Sequence, residues 1–189
     1  LNPGRSGSEE DVRKGLAEVI AAQPNRVVVT CFSSNVARIH SVALAAQQAG
    51  RQCAMVGRSL WKIMEAAQST GYMTDLPEPF VREDQAGYIP RDKIVLICTG
   101  SQGEARSALS RIAGDSHPHI TLEAGDTVIF SAREIPGNEK AIGRVQNALV
   151  GAGITLITPD DANVHCSGHP ARDELTTLYQ WLKPQAVAD

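Results

Sequence analysis

The chain has 189 residues, 42% of them apolar and 21% charged, which suits one domain with an ordinary core and excludes a disordered or fibrous protein. Its net charge of −3 excludes nucleic-acid binding by bulk positive charge, so any such contact has to come from a local cationic surface. No apolar run reaches the roughly 18 residues of a membrane span, and Leu1–Glu10, rich in Gly, Ser and charge, lacks the apolar core of a secretory signal.

Pro3–Glu10 reads as an exposed linker, and residues 1–10 are expected to lie outside the domain proper. From Asp11 to Gln23, Val12, Leu16, Val19 and Ile20 recur at helical spacing, and Pro24-Asn25 stops that helix. Residues 26–32 form a short β-branched run without alternation, the pattern of a strand buried on both faces. A helix is expected over Asn35–Gln48, a strand over Gln52–Val56, and a helix over Ser59–Gln68 with Ser59 as N-cap. Asp75–Asp92 holds three prolines and reads as irregular. Then follow a strand at Lys93–Cys98, a helix at Glu104–Ile112, a strand at Asp126–Ser131 and a helix at Asn138–Val150. A strand at Ile154–Thr158 and a helix at Pro170–Leu182 complete the domain, placed at residues 11–184. Four cysteines, Cys31, Cys53, Cys98 and Cys166, form no CxxC pair and read as reduced thiols of a cytoplasmic protein.

Strand and helix alternate about five times, and the strands are continuous apolar runs. That predicts an α/β domain with a mostly parallel sheet and helices on both faces. In such sheets ligands bind outside the carboxyl ends of the strands. The segments expected there are Ser33–Asn35, Gly57–Ser59, Thr99–Glu104, Ser131–Lys140 and Asp160–His169, rich in glycine, hydroxyls and cations. Arg38, Arg58, Arg106, Arg133 and Lys140 fall in these loops or in the helices they open. Such an edge suits a phosphate; the same residues also serve as helix caps and turns.

His165-Cys166-Ser167-Gly168-His169 is the sharpest element. Gly168 and Pro170 argue against a helical metal pair and for a loop leading into a helix, with Pro170 in its first turn and His169 near its N-cap. Such a loop can bind phosphate or hold an imidazole beside one for proton transfer. No GxGxxG or P-loop pattern is present. Trp61 and Trp181 are expected to pack in the core or an interface, and Glu104 to cap its helix.

This loop resembles the HxSGH signature of ribonuclease J enzymes. Thr99-Gly100-Ser101-Gln102-Gly103-Glu104 is similar to that family's TGSQGE, Gly137-Asn138-Glu139-Lys140 to its PGNE segment, and Thr30–Ile39 to its TxFSSNxxRI. Pro3–Glu9 resembles the run into the β-CASP insert of those enzymes, and the matches keep the family order over nearly the whole chain.

The resemblance implies a β-CASP, Rossmann-like domain that closes over RNA in a metal-dependent 5'-to-3' exonuclease and endonuclease. A metallo-β-lactamase domain of the same chain would hold two metal ions, usually zinc, and the intact enzyme is expected to be a homo-oligomer. By motif position His169 would act at the scissile phosphate. Ser101, His165 and Ser167 would bind the 5'-monophosphate of RNA, with Gly100, Gly103 and Gly168 allowing close approach.

Cys166 and Pro170 depart from the family's usual small residues, and Cys166 is expected to turn away from the ligand. The lactamase HxHxDH motif does not occur in these residues, and 185–189 read as the run-up to a returning lactamase segment. The piece by itself is therefore expected to hold no metal and to be inactive. Two other readings stay open: a stand-alone phosphate- or nucleotide-binding α/β protein, and a non-catalytic interaction domain.

Overall fold

The computed structural model describes residues 2–76 and 79–186. Helix α1 (Glu9–Ala22) leads into β1 (Val27–Thr30), α2 (Val36–Gln48), β2 (Gln52–Val56), α3 (Arg58–Ser69), β3 (Val81–Arg82) and the short α4 (Glu83–Ala86). After a 3₁₀ turn come β4 (Ile94–Cys98), α5 (Ala108–Ala113), β5 (Thr127–Phe130), α6 (Glu139–Gly151), β6 (Thr155–Ile157) and α7 (Arg172–Leu182).

The strands make one parallel sheet in the order β3-β2-β4-β1-β5-β6. Central β1 pairs Val27 with Val95 of β4 on one side and with Thr127 of β5 on the other. Alternate residues divide between two cores, as a period of two requires. Val27, Val29, Val95, Ile97 and Ile129 face Leu16 and Ile20 of α1, Ile39 and Val42 of α2, and Leu60 of α3. Val28, Leu96, Val128 and Phe130 face Leu109 of α5 and Ile142 and Leu149 of α6. Both faces are covered, which is why the strands read as unbroken apolar runs.

Five expected strands became six. The addition, β3, lies in the stretch expected to be irregular and pairs only with β2, through Ala54–Val81 and Met55–Arg82. A strand of two residues carries no periodicity; its existence depends on the edge it joins. Glu104–Ile112 also departs from expectation. Residues 104–107 instead make a turn closed by the Ser107 N–H on the Glu104 carbonyl at 2.9 Å, and α5 starts only after Ser107, whose hydroxyl accepts the Ser110 N–H at 3.2 Å. Glu104 is thus ahead of the helix and instead accepts the Gln102 N–H at 3.1 Å. Helix α3 begins at Arg58 with Gly57, not Ser59, at the cap. Pro170 precedes the first turn of α7, which opens at Arg172 after Ala171.

At the chain's start, α1 begins two residues earlier than expected, with Ser8 capping it. Residues 2–6 lie along the start of α7. Asn2 and Gly4 carbonyls accept the Arg172 and Asp173 N–H groups at 2.9 and 3.1 Å, and Ser6 donates to Glu174 through its amide (3.1 Å) and its hydroxyl (2.5 Å). Trp61 packs partly buried against the core under Arg82. Trp181, expected to pack, is 78% exposed on α7, none of whose residues is buried.

Direction reverses at β1. The chain leaves it through α2 and α3 toward one edge of the sheet and leaves β4 and β5 through α5 and α6 toward the other. The connections therefore part to opposite faces, and a crevice opens at the carboxyl ends there.

Candidate functional site

The His165–His169 loop, between β6 and α7, is anchored from below by Arg38. This guanidinium has no exposed surface. Its Nη1 donates to the Ser131 carbonyl (2.9 Å), the Ser131 hydroxyl (2.6 Å) and the Val164 carbonyl (3.1 Å). Its Nε and Nη2 donate to the two oxygens of Glu9 at 3.0 and 2.7 Å. The Ser131 hydroxyl in turn donates to the Val164 carbonyl at 2.6 Å. A fully desolvated charge is tolerated only when paired and saturated with acceptors, and here the acceptors come from α1, the end of β5 and the loop itself. Burial alone would raise the Glu9 carboxyl. The hydrogen bonds and charge of Arg38 outweigh it and hold Glu9 below its ordinary value.

His165 follows. Its Nδ1 lies 3.5 Å from Arg38 Nη1. A guanidinium can only donate, so in any hydrogen bond across this long contact Nδ1 accepts. Burial, reinforced by the Arg38 charge, pushes the His165 pKa down, so the ring is neutral at pH 7. Cys166 turns inward, with Sγ 3.3 Å from Glu9 and packed on the core. Burial, with Glu9 beside it, raises its pKa, which keeps it a thiol and a poor nucleophile. The Ser167 hydroxyl accepts the His169 N–H at 3.1 Å, and the His169 ring is exposed.

These residues form the floor of a cleft of about 830 Å³. Phe32 and Asn35, after β1, make one wall, and Arg133–Pro136, after β5, make another. A second cleft of about 640 Å³ adjoins it, shares Arg133, His165, Ser167 and His169, and is closed by Asn2–Gly7 and by Pro170–Ala171.

Of the residues singled out in the sequence, His165, Ser167, Gly168 and His169 meet in this cleft. Ser101, Gly100 and Gly103 stand in the β4–α5 turn, and the described lining of the two clefts does not include them. Their smallness has a local reason. A Cβ on Gly100 would lie 2.4 Å from the Ser107 hydroxyl, and one on Gly103 would lie 2.4 Å from the Ala141 carbonyl carbon, so the turn presses on the starts of α5 and α6. Gly168 has open space around it. Ser101 is 3% exposed.

Two residues that hold the cleft together escaped the sequence reading. Buried Gln102 donates to the Arg133 carbonyl at 2.9 Å and accepts from the Ile135 amide at 3.0 Å and the Asn138 side chain at 3.2 Å, tying the β4–α5 turn to the cleft wall. Nothing local marks that role. Arg38 was read as a cation available to a ligand; the structure spends it on Glu9 and Ser131 instead. A signal existed. Arg38 stands four and seven residues before Val42 and Ala45, on the buried stripe of α2.

Comparison with known proteins agrees with this fold. The family described as "Ribonuclease J, beta-CASP domain" matches residues 24–149. Ribonuclease J of Sinorhizobium meliloti is 51% identical over 187 residues, covering 99% of this chain and 33% of that protein. Ribonuclease J of Mycolicibacterium smegmatis is 40% identical (98% and 33% covered), and that of Thermus thermophilus is 38% identical (97% and 32%). The chain thus spans about a third of the length of these relatives. The chain belongs to the ribonuclease J family and corresponds to its β-CASP domain.

Proposed function

We propose that this chain is the RNA-clamping half of a metal-dependent ribonuclease of RNA processing and decay, working in the cytoplasm, and that its β6–α7 loop receives the 5'-monophosphate of RNA. One observation carries the reading. The saturated Arg38 network fixes the backbone at Val164, so a neutral imidazole N–H (His165), a hydroxyl (Ser167) and a second imidazole (His169) meet in one cleft beside exposed Arg133. His165 Nε2–H and Ser167 Oγ–H donate to the phosphate oxygens, and Arg133 supplies the charge. Phe32 and Ile135, 38% and 47% exposed, offer apolar surface to the terminal base. Ser101 is assigned to the same phosphate, its turn held to the cleft wall by Gln102. His169, exposed, is free to meet the scissile phosphate and move a proton there.

The zinc pair expected of such an enzyme activates water and clamps the phosphate. Among the described residues no group of three or more His, Cys, Asp or Glu side chains converges to hold a metal. The residues here do not fit that pair, and its ligands are assigned to the accompanying metallo-β-lactamase domain. This chain alone is expected not to hydrolyse RNA.

Titration with a nucleoside 5'-monophosphate, followed by backbone amide shifts in NMR, tests the pocket. Shifts confined to Ser101 and His165–His169 are expected; a folded domain with no shift there would sink the assignment. In the full-length enzyme, His169→Ala should lower kcat far more than RNA affinity. Equal losses in both would reduce His169 to a binding residue.

A further inference from the structure

On the other side of β1, where β2 and β4 end, lies a separate cleft of about 650 Å³. Arg58 and Lys62 project into it from the first turns of α3, and Arg106 and Arg111 border it from the segment ahead of α5 and from α5 itself. All four are exposed, and among the described residues none of the four forms an ion pair with a carboxylate. Glu83 also lines the cleft, but it accepts the Gly57 N–H at 2.9 Å. Thr99 and Ser59 add hydroxyls. Helix α3 opens there with glycine at its cap and no side chain on its first amides, so its positive end faces the same space.

In a chain of net charge −3, four free cations around one cleft mark a local anion site. The residues lining it include no Phe, Tyr or Trp to stack a base, and its one imidazole, His117, is buried. Its chemistry therefore suits repeated phosphate groups rather than a nucleotide with its base enclosed. In the sheet order β1 stands between β2 and β4, which end at this cleft, and β5 and β6, which end beside the His165–His169 loop.

We propose that this cleft is a second, sequence-independent site for RNA, taking phosphodiester groups of the strand away from its 5' end. The identity of the ligand rests on the ribonuclease reading above; the cleft itself rests on its own geometry. The two sites then differ in what they read. The loop senses the terminal phosphate, and the cleft holds the chain by charge.

The test measures binding of this chain to paired single-stranded RNAs, one with a 5'-hydroxyl and one with a 5'-phosphate, by fluorescence anisotropy over a series of salt concentrations. The variants are Arg58→Ala/Arg106→Ala/Arg111→Ala, the control Arg144→Ala, exposed on α6, and Ser167→Ala. The triple variant should bind both RNAs about tenfold or more weakly at low salt. Its plot of log affinity against log salt should flatten by about 2, at about 0.7 per lost phosphate contact on a single strand. Arg144→Ala should match the parent. The ratio between the two RNAs should survive the triple variant and fall only in Ser167→Ala, so failure of the 5'-phosphate reading is seen separately. A triple variant, folded by circular dichroism, with the parent's affinity and salt slope overturns the proposal. So does a parent chain that binds neither RNA at low salt. Displacement of RNA by an equal concentration of an acidic peptide of matched charge would move the ligand to a protein and overturn it as well.

Discussion

On the β5–β6 side of the carboxyl edge, the key arginine is wholly enclosed, bonded to Glu9, Ser131 and Val164, and beyond reach of any ligand. On the β2–β4 side, four cations stand in solvent without partners among the described residues. The same residue type thus serves opposite ends. A buried guanidinium gives up its hydration and holds backbone in place; an exposed one keeps its charge available to something that arrives later. The loop fixed by the first is shaped and largely neutral. The cleft edged by the second is open and charged.

The sharpest break of this comparison is at Arg38. Arg38→Ala should cost about 3–5 kcal/mol in chemical denaturation, because Glu9 and the Ser131–Val164 pair lose their partner. Arg58→Ala should stay within about 0.5 kcal/mol. Similar costs for the two would mean that Arg38 is not the anchor it appears from its bonds.

The glycines sharpen it next. Gly103→Ala should cost about 2 kcal/mol or more, since the added carbon meets the Ala141 backbone at a φ of +70°. Gly168→Ala, with nothing within 4 Å, should change stability by about 0.5 kcal/mol or less. Thermal melts of the two variants check this, and a tolerated Gly103→Ala would show that the turn can slide.

The smallest effect is in pH. Burial depresses the folded-state pKa of His165 and of His117 below 6.5. Above that value both states are neutral and the contribution to stability is whole. As pH falls through 6.5 toward the folded values, the unfolded chain takes up protons that the folded one does not, and stability drops. His165→Gln should flatten that slope in denaturation curves taken on either side of 6.5; an unchanged slope would assign it to His117 alone. Glu9 adds a second loss, beginning as pH falls below its unfolded value of 4.5.

Much of this was legible from residues in order. Val27–Thr30, Ile94–Cys98 and Thr127–Phe130 announced themselves because both their faces are covered, leaving no polar alternation to blur the run. The His165–His169 loop was legible as a motif, and the all-parallel sheet places it on the expected edge. Val81–Arg82 was not, because pairing with β2 rather than local pattern makes it a strand. Gln102 was not, because its partners lie 31 to 36 residues away. The division of the cations between anchor and open surface was half legible: Arg38 stands on the apolar stripe of α2, but its partners Glu9, Ser131 and Val164 lie 29 to 126 residues away.

The stretch before α1 is stitched to the start of α7, with Asn2 and Gly4 meeting Arg172 and Asp173, and Ser6 meeting Glu174. That seam has a mechanical meaning. Tension applied to the polypeptide ahead of Gly7 runs across the Ser6–Glu174 link into Ala171, whose amide Glu174 also grips at 2.7 Å, and arrives two residues from His169. None of the strands lies on that line. Alongside the covalent route through α1 into the core, the seam gives that load a second path, which bypasses the sheet and ends beside the imidazole.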